Sequence, residues 1–395
     1  MSHNGSTTEE AASATQGGTM QAYFYQDLSD PASSPAVAAR VRVPDTDNEQ
    51  QSGMTLSNPN HIRPDGPRVC AFVGPAPTDQ ELQFVEQMGA THVFTWIEKL
   101  ADMTPARLAA LKDAVERRNL QLNNVGCLEL AKCPDIILHT DNYAARLTQF
   151  GSMLAMLSEA GIHTTTFTWE ASGKVYSTGQ SVVRGGGLGR RCNARRLAAL
   201  PVDPNAPTDE QLWSNLETFV RDVMPLCVQY NMVLALHPND PPLRHVGGMP
   251  CLIRSFSDFE RVFALDHSGR LQAEFCCGTI SEGLRLPPAH DLAHVTADPA
   301  LLGSFGDSCE ALYSNLVAFV LRQRVAIVHL RNCTACLPDF AETYLDDGFL
   351  DIAHIIDLLV QNGYRGTIIL DHTPPFNSVD GAAAATAFSL GYDLR

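Results

Sequence analysis

Four residues of types that bind transition metals each stand at the end of a short apolar run. They are His237, Cys276, His329 and Asp371. Two imidazoles, a thiolate and a carboxylate form a complete set of ligands for a divalent ion, and histidine and cysteine favour Fe, Co, Mn or Zn over Mg or Ca. One such residue alone would more often be an ordinary polar group, but four at equivalent places predict a single metal site.

The apolar runs before these residues predict buried strands of a parallel sheet. They span residues 233–236, 271–275, 325–328 and 366–370, with helix-sized intervals between them. Strands that are apolar on both faces are typical of parallel sheets covered by helices. In a (β/α)8 barrel the carboxyl ends of the strands lie on one face, where the chemistry takes place. We therefore expect the four side chains to converge on that face.

Four earlier strand–helix units complete a set of eight. Their strands are predicted at residues 69–73, 92–95, 120–125 and 163–168. Three capping patterns mark helix starts, namely Thr78-x-x-Glu81, Thr208-x-x-Gln211 and Ser257-x-x-Glu260. Eight units predict an α/β protein with a (β/α)8 TIM barrel over residues 67–395. No Gly-x-Gly-x-x-Gly follows the first strand and no P-loop occurs, which disfavours a nucleotide-binding fold.

Residues 1–66 differ in composition from the remainder. They are rich in Ser, Thr, Ala, Gly, Gln and Pro and show no sustained apolar period. Such segments cannot bury enough apolar surface to offset the entropy of ordering. We expect a disordered or loosely attached N-terminal extension followed by one metal-dependent catalytic domain.

Charge and cysteine content exclude several classes of partner. The 28 Lys and Arg against 44 Asp and Glu give a formal net charge of -16, which argues against nucleic acid and anionic membranes as partners. No apolar run is long enough to cross a membrane and no secretory signal is recognisable. We expect a soluble, cytoplasmic homo-oligomer with a small-molecule anionic or polyol substrate. The 11 cysteines should be reduced thiols, and the lone Cys333-x-x-Cys336 pair is a weak indication of zinc or redox chemistry.

Five short motifs together resemble successive motifs of the mannonate dehydratase family, which belongs to the xylose-isomerase-like barrels. They are His-Pro-Asn-Asp-Pro-Pro at 237–242, Phe-Cys-Cys-Gly-Thr at 275–279, Val-His-Leu-Arg-Asn at 328–332, Phe-Ala-Glu-Thr at 340–343 and Asp-His at 371–372. Their order and spacing are similar to those of the family. The resemblance implies an Mn²⁺ or Fe²⁺ ion held by His237, Cys276, His329 and Asp371. It also implies a lyase of carbohydrate metabolism that removes water from a sugar acid such as D-mannonate to give a 2-keto-3-deoxy product.

Four further residues in these motifs are candidate catalytic residues. Arg331 is a plausible clamp for a carboxylate or hydroxyl of the substrate. His372 and Asp240 are candidates for acid–base work, because loss of water requires a proton to leave C2 and another to reach the C3 hydroxyl. Glu342, in the fourth motif, is the last candidate, and Glu170 after the fourth strand could be a further substrate contact or base.

Other parts of the chain depart from the family and leave alternatives open. Residues 94–98, 124–126 and 377–381 differ from the family's substrate-binding motifs, so another sugar acid or a polyol is a credible substrate. Five arginines between Arg184 and Arg196, on a predicted insertion over residues 169–207, could close over an anionic group or simply be solvated. A metal-dependent isomerase or epimerase, a non-heme iron redox enzyme and a non-catalytic metal-binding barrel remain alternative interpretations.

Overall fold

The computed structural model describes residues 66–170, 177–286, 302–378 and 380–393. The predicted N-terminal extension therefore lies outside the described residues, apart from Gly66, and its boundary stays a prediction. None of the helices in the described ranges has the length and hydrophobicity needed to cross a lipid bilayer. All 11 cysteines are free thiols, as predicted.

The strands of the described residues form one barrel and two small antiparallel sheets. In chain order they are β1 (Arg68–Phe72), β2 (His92–Ile97), β3 (Gln121–Cys127), β4 (Thr164–Thr168), β5 (Gly179–Val182), β6 (Leu188–Asn193), β7 (Val233–His237), β8 (His245–Val246), β9 (Met249–Pro250), β10 (Leu271–Cys276), β11 (Val325–Leu330), β12 (Asn332–Cys333), β13 (Asp339–Thr343) and β14 (Thr367–Leu370). The barrel is closed and parallel, in the order β1-β14-β11-β10-β7-β4-β3-β2. The predicted TIM barrel is confirmed.

The helices connect and surround these strands. In chain order they are α1 (Asp79–Gln87), α2 (Pro105–Glu116), α3 (Leu128–Ala131), α4 (Pro134–Ile137), α5 (Tyr143–Glu159), α6 (Ala194–Ala198), α7 (Asp209–Gln229), α8 (Phe256–Phe263), α9 (Cys277–Glu282), α10 (Cys309–Leu321), α11 (Ile352–Gln361) and α12 (Gly381–Asp393). Their apolar faces pack with the strands into one large core. That core accounts for the apolar runs that predicted the strands, because each strand is covered on its outer face.

The predicted insertion after β4 forms part of a small sheet. Strands β5 and β6 make an antiparallel hairpin, and β6 pairs with β13, which pairs with β12, in the order β12-β13-β6-β5. Glu342 lies on β13 of this sheet. Gly189 permits this pairing, because a side chain at that position would overlap the backbone carbonyl of Glu342. The sheet ties the insertion to the segment that follows β11.

Two of the three predicted helix caps are confirmed. Thr78 and Thr208 each accept a hydrogen bond at the start of α1 and α7, and both ends form complete capping boxes. The third prediction is wrong, because α8 is capped by Ser255, whose hydroxyl accepts from the backbone N–H of Asp258. The Asp258 carboxylate accepts in return from the Ser255 hydroxyl. Asp258 therefore stands at the third position of α8, the position that Glu81 and Gln211 occupy in α1 and α7.

Loss of the Thr208 cap should weaken the protein by a modest and specific amount. We expect Thr208→Ala to lower the free energy of unfolding by about 1 kcal/mol, because the side chain satisfies an N–H group that the helix leaves unpaired. Urea denaturation measures the change. Thr148→Ala, an exposed position inside α5 whose hydroxyl bonds back to Ala144, is the matched control and should cost less, since it removes no cap. Equal losses would contradict the role of the cap.

Candidate functional site

Four neighbouring barrel strands bring the predicted metal ligands to one end of the barrel. His237 and Cys276 are the last residues of β7 and β10. His329 is the last residue but one of β11, and Asp371 directly follows β14. The strands are adjacent in the order β14-β11-β10-β7. The register pairs Cys276 with His329. Parallel strands with this register must place the four side chains at one edge.

Three of these residues form a group with the geometry of a metal site. One potential ligand atom each from His237, Cys276 and His329 lies within 4.8 Å of the other two. The two imidazole rings have centroids 5.5 Å apart. Asp371 adjoins the trio, with Oδ2 3.4 Å from the Cys276 sulfur and Oδ1 3.9 Å from Nδ1 of His329. The predicted set of four is therefore brought together, with three members in the tight cluster and the fourth beside it.

The second nitrogen of each histidine is held by a group outside the cluster. Nδ1 of His237 donates to the carbonyl oxygen of Pro238 at 2.7 Å, which leaves Nε2 as its potential ligand atom. Nε2 of His329 lies 2.7 Å from Oε1 of Glu274, while its Nδ1 is buried with no hydrogen-bond partner. Metal-binding histidines are usually oriented in this way by a carbonyl or carboxylate. An orphaned, buried imidazole nitrogen that faces the other donors fits a bound cation.

The surroundings of Cys276 favour the thiolate that a metal requires. Burial by itself raises the pKa of this thiol, but Arg331 and the imidazoles of His237 and His329 outweigh burial and lower the pKa to about 6. Thr279 adds hydrogen bonds to the sulfur from its backbone N–H, at 3.4 Å, and from its hydroxyl, at 3.2 Å. The donor set therefore matches a borderline transition metal better than Mg²⁺ or Ca²⁺.

Arg331 lies next to the cluster and is surrounded by carboxylates. Its side chain is 0% exposed. Its guanidinium lies 2.7 Å from Glu282, 3.0 Å from both Asp240 and Glu342, and 3.1 Å from Asp371. A buried guanidinium with this many carboxylate partners fixes the positions of those carboxylates, and it has no exposed surface with which to meet a substrate.

Arg190, on β6 of the inserted hairpin, reaches the same group of carboxylates. It is buried, with Nη2 2.6 Å from Glu342 Oε1 and 3.2 Å from Asp240 Oδ2. Burial would raise the pKa of Glu342, but Arg190, His372 and Arg331 lower it to about 2. For Asp240, burial again opposes the shift, and Arg190 and Arg331 hold the pKa far below its ordinary value. Both carboxylates are therefore ionised at neutral pH.

His372 links this carboxylate network to the metal cluster. Its Nδ1 lies 2.9 Å from Oε1 of Glu342, and its Nε2 lies 3.4 Å from Oδ1 of Asp371. The side chain is 17% exposed, more than any partner in the network. All four predicted catalytic residues therefore lie together, and His372 is the most exposed of them.

Two other arginines of the insertion are partly exposed and pair away from the site. Arg184 forms a bidentate pair with Asp346 and stacks on Tyr344, and Arg191 pairs with Asp339. Glu170 is buried after β4, where its Oε2 accepts from Asn239 Nδ2 at 3.1 Å. The arginine cluster thus divides, with Arg190 alone among these three directed into the site.

Two residues of this site, Glu274 and Glu282, were missed in the sequence, and Arg190 was predicted only as one of five arginines of the insertion. Glu274 lies two residues before Cys276 and so on the same face of β10, which is a usable signal because side chains alternate along a strand. Glu282 ends α9 and is fully buried against Arg331. Burial raises the pKa of Glu282 well above its ordinary value despite the two nearby arginines. No local pattern distinguishes Glu282 or Arg190 from surface residues of a helix and a loop.

Removing the Arg190 guanidinium should destabilise the protein strongly. We expect Arg190→Met to lower the free energy of unfolding by about 3 kcal/mol, because two buried carboxylates lose a partner. Urea denaturation at neutral pH measures it. Arg191→Met, the next residue on β6, removes a half-exposed pair with Asp339 and should cost at most about 1 kcal/mol. A smaller loss for Arg190→Met than for Arg191→Met would contradict the buried network.

Comparison with known proteins agrees with the motifs. A family model described as D-mannonate dehydratase (UxuA) matches residues 205–298. The mannonate dehydratase of Streptococcus pneumoniae (strain 70585) is 27% identical over 200 residues, which is 48% of this chain and 48% of the relative. That of Enterococcus faecalis (strain ATCC 700802 / V583) is 29% identical over 168 residues, 42% of this chain and 40% of the relative. The chain thus spans about half the length of the curated relatives it matches.

Solved structures agree with the barrel fold. The crystal structure of mannonate dehydratase from Streptococcus suis serotype 2 superposes with a TM-score of 0.67 at 19% identity, covering 83% of this chain and 91% of that one. The 3-keto-D-glucoside 4-epimerase of E. coli gives a TM-score of 0.51 at 13% identity, covering 80% and 93%. Similarity at these identities supports the fold alone. The family model and the curated relatives confirm the resemblance to the mannonate dehydratase family.

Proposed function

We propose that this chain is a hydro-lyase that removes water from a sugar acid with the aid of one divalent metal ion. The observation that carries the proposal is the position of His372, whose imidazole lies between the donor cluster and Glu342. The similarity to mannonate dehydratases, over about half of their length, supports the reaction class. A sugar acid such as D-mannonate would lose water across C2 and C3 and give a 2-keto-3-deoxy acid.

The proposed metal ligands are His237, Cys276, His329 and Asp371. Two imidazole nitrogens, a thiolate and a carboxylate favour Mn²⁺ or Fe²⁺, as the family resemblance also implies. The buried Nδ1 of His329, which has no hydrogen-bond partner, supports this ligand set most directly. When bound, the ion supplies Lewis acidity that stabilises negative charge on the oxygens of the substrate and so makes the proton at C2 more acidic.

His372 is the proposed proton-transfer residue. In the tautomer whose Nδ1 donates to the ionised Glu342, Nε2 carries a lone pair that can accept the proton from C2. The imidazolium that results is stabilised by Glu342, and it returns the proton to the C3 hydroxyl, which leaves as water. One proton is taken and one is given, so the elimination balances. Glu342 positions the imidazole, as the carboxylate does in other acid–base pairs of this kind.

Asp240 and Arg331 have supporting roles in this proposal. Burial opposes ionisation of Asp240, but Arg190 and Arg331 stabilise the charged carboxylate and keep its pKa far below the usual range. A carboxylate of that kind is a poor proton acceptor at neutral pH. Arg331 touches Asp240, Glu342 and Asp371 and keeps them at fixed positions.

Product analysis on metal-loaded protein tests the proposed function. Protein purified without oxygen and loaded with Mn²⁺ or Fe²⁺ would be incubated with a panel of aldonic acids, and mass spectrometry would follow the products. We expect a product lighter by one water that reacts as a 2-keto-3-deoxy acid. An isomeric product would establish the isomerase or epimerase interpretation instead, and consumption of oxygen would establish redox chemistry. No product from any aldonic acid would contradict a sugar-acid dehydratase.

A further inference from the structure

Lys132 is a lysine at the functional end of the barrel that no part of the proposed reaction uses. It follows α3 (Leu128–Ala131), which itself begins directly after the carboxyl end of β3. The barrel strands end on the same side as β7, β10, β11 and β14, because all are parallel. Lysine is scarce in this protein, at positions 99, 112, 132 and 174, while most of its cations are arginines.

The charged groups around Lys132 belong to the candidate site. Burial lowers the pKa of this half-buried lysine, while the carboxylates of Glu170 and Asp240 raise it and Arg190 lowers it. The topology agrees, because Glu170 follows β4 and Asp240 follows β7, the next two barrel strands after β3, at the same carboxyl end as Lys132. The ammonium makes no hydrogen bond and no ion pair with any residue in the described part of the chain.

Lys132 differs in this respect from the two arginines of the site. Arg331 is surrounded by four carboxylates, and Arg190 is shared between Glu342 and Asp240. Each guanidinium is therefore neutralised inside the protein and is buried. A partly buried ammonium loses hydration, and without a close anionic partner nothing compensates for that loss of free energy. An anionic ligand would supply the missing partner.

We propose that the ammonium group of Lys132 binds the carboxylate of the sugar acid and so determines the preference of the site for acids over neutral sugars. The inference rests on the proposed function and names the residue that recognises the anionic part of its substrate. A charged hydrogen bond of this kind is stronger than a neutral one, and a site that relies on it rejects analogues that lack the acceptor.

Binding measurements on the Mn²⁺-loaded protein test this role without requiring turnover. Titration calorimetry with D-mannonate would compare the wild type with Lys132→Met and Lys132→Arg, and D-mannitol would serve as the neutral probe. We expect Lys132→Met to weaken D-mannonate binding by about 10- to 100-fold, as for loss of a hydrogen bond between charged groups. D-mannitol binding should not change, and Lys132→Arg should recover part of the affinity for the acid because it keeps the charge.

The controls separate this role from a structural one. Lys112→Met, on α2, removes an ammonium that bonds to the carbonyl of Ala160 outside the barrel, and it should leave D-mannonate binding unchanged. If Lys132→Met lowers the midpoint of urea unfolding, the binding comparison would use Lys132→Gln in place of Lys132→Met.

The outcomes distinguish Lys132 from the proposed function itself. Equal affinity of the wild type and Lys132→Met for D-mannonate would overturn the role of Lys132 and leave the dehydratase proposal standing. An equal loss of D-mannitol and D-mannonate binding would also overturn it, because the effect would not depend on the carboxylate. Failure of the wild type to bind any aldonate would instead contradict the proposed substrate class, and with it this inference.

Discussion

Cys276→Ala protein, purified without oxygen, is expected to retain less than about a tenth of the metal of the wild type and to lose turnover by about 1000-fold or more. The expected loss reflects the several kcal/mol of charge stabilisation that a metal ion supplies to a transition state. Cys276 is fully buried within the trio of donors, and its thiol has a pKa lowered to about 6. Elemental analysis and steady-state kinetics measure the two effects.

The neighbouring cysteine provides a matched control for this substitution. Cys277 is equally buried, but burial raises its pKa well above the ordinary value, so it is a core thiol rather than a ligand. We expect Cys277→Ala to retain its metal and most of its turnover, with a small loss of stability from the cavity. Metal retained by Cys276→Ala, or lost equally from both variants, would contradict the assignment of the ligand.

His372→Gln should separate metal binding from proton transfer. We expect this variant to keep its full metal content and to lose turnover by about 100- to 10,000-fold, the usual contribution of a positioned acid–base group. The KM should change little, because the imidazole acts mainly in the transition state. Glu342→Gln should have a smaller effect on turnover, since it removes the partner of His372 Nδ1 and leaves the reacting nitrogen in place.

An exposed histidine controls for the general effect of the substitution. His354 lies on α11, where its ring packs edge-on against Tyr313, and His354→Gln should keep full metal content and turnover. Full activity of His372→Gln would remove the proposed role of His372. Loss of metal from that variant would show that the side chain supports Asp371 instead of transferring protons.

The positions of the proposed metal ligands could be predicted because they depend on a regular architecture. Parallel strands recognisable from apolar runs must share one carboxyl edge, so the residues that end β7, β10 and β11 were placed together by topology alone. Asp371 followed from the same rule. The ends of the barrel strands lie within two residues of the predicted ones, because each apolar run ends where the strand leaves the buried core.

The residues around the donors depend on contacts between distant segments. Arg190 enters the site only because β6 pairs with β13, about 150 residues along the chain, and a glycine-rich stretch with arginines does not reveal that pairing. The same stretch places Arg184 on the surface. Burial of Arg331 could not be predicted from the sequence either, because an arginine after a strand is as compatible with an open site as with a closed network. The error at Ser257 is local, since two serines two residues apart both matched the capping pattern.

X-ray absorption at the metal edge would test whether the four proposed ligands bind one ion. The measurement would use protein loaded with one Mn²⁺ or Fe²⁺ ion per chain. We expect a first coordination shell that contains one sulfur together with imidazole nitrogens and carboxylate oxygen, as the cluster of His237, Cys276, His329 and Asp371 requires. A shell made only of oxygen, or a protein that retains no ion after loading and dialysis, would contradict this ligand set.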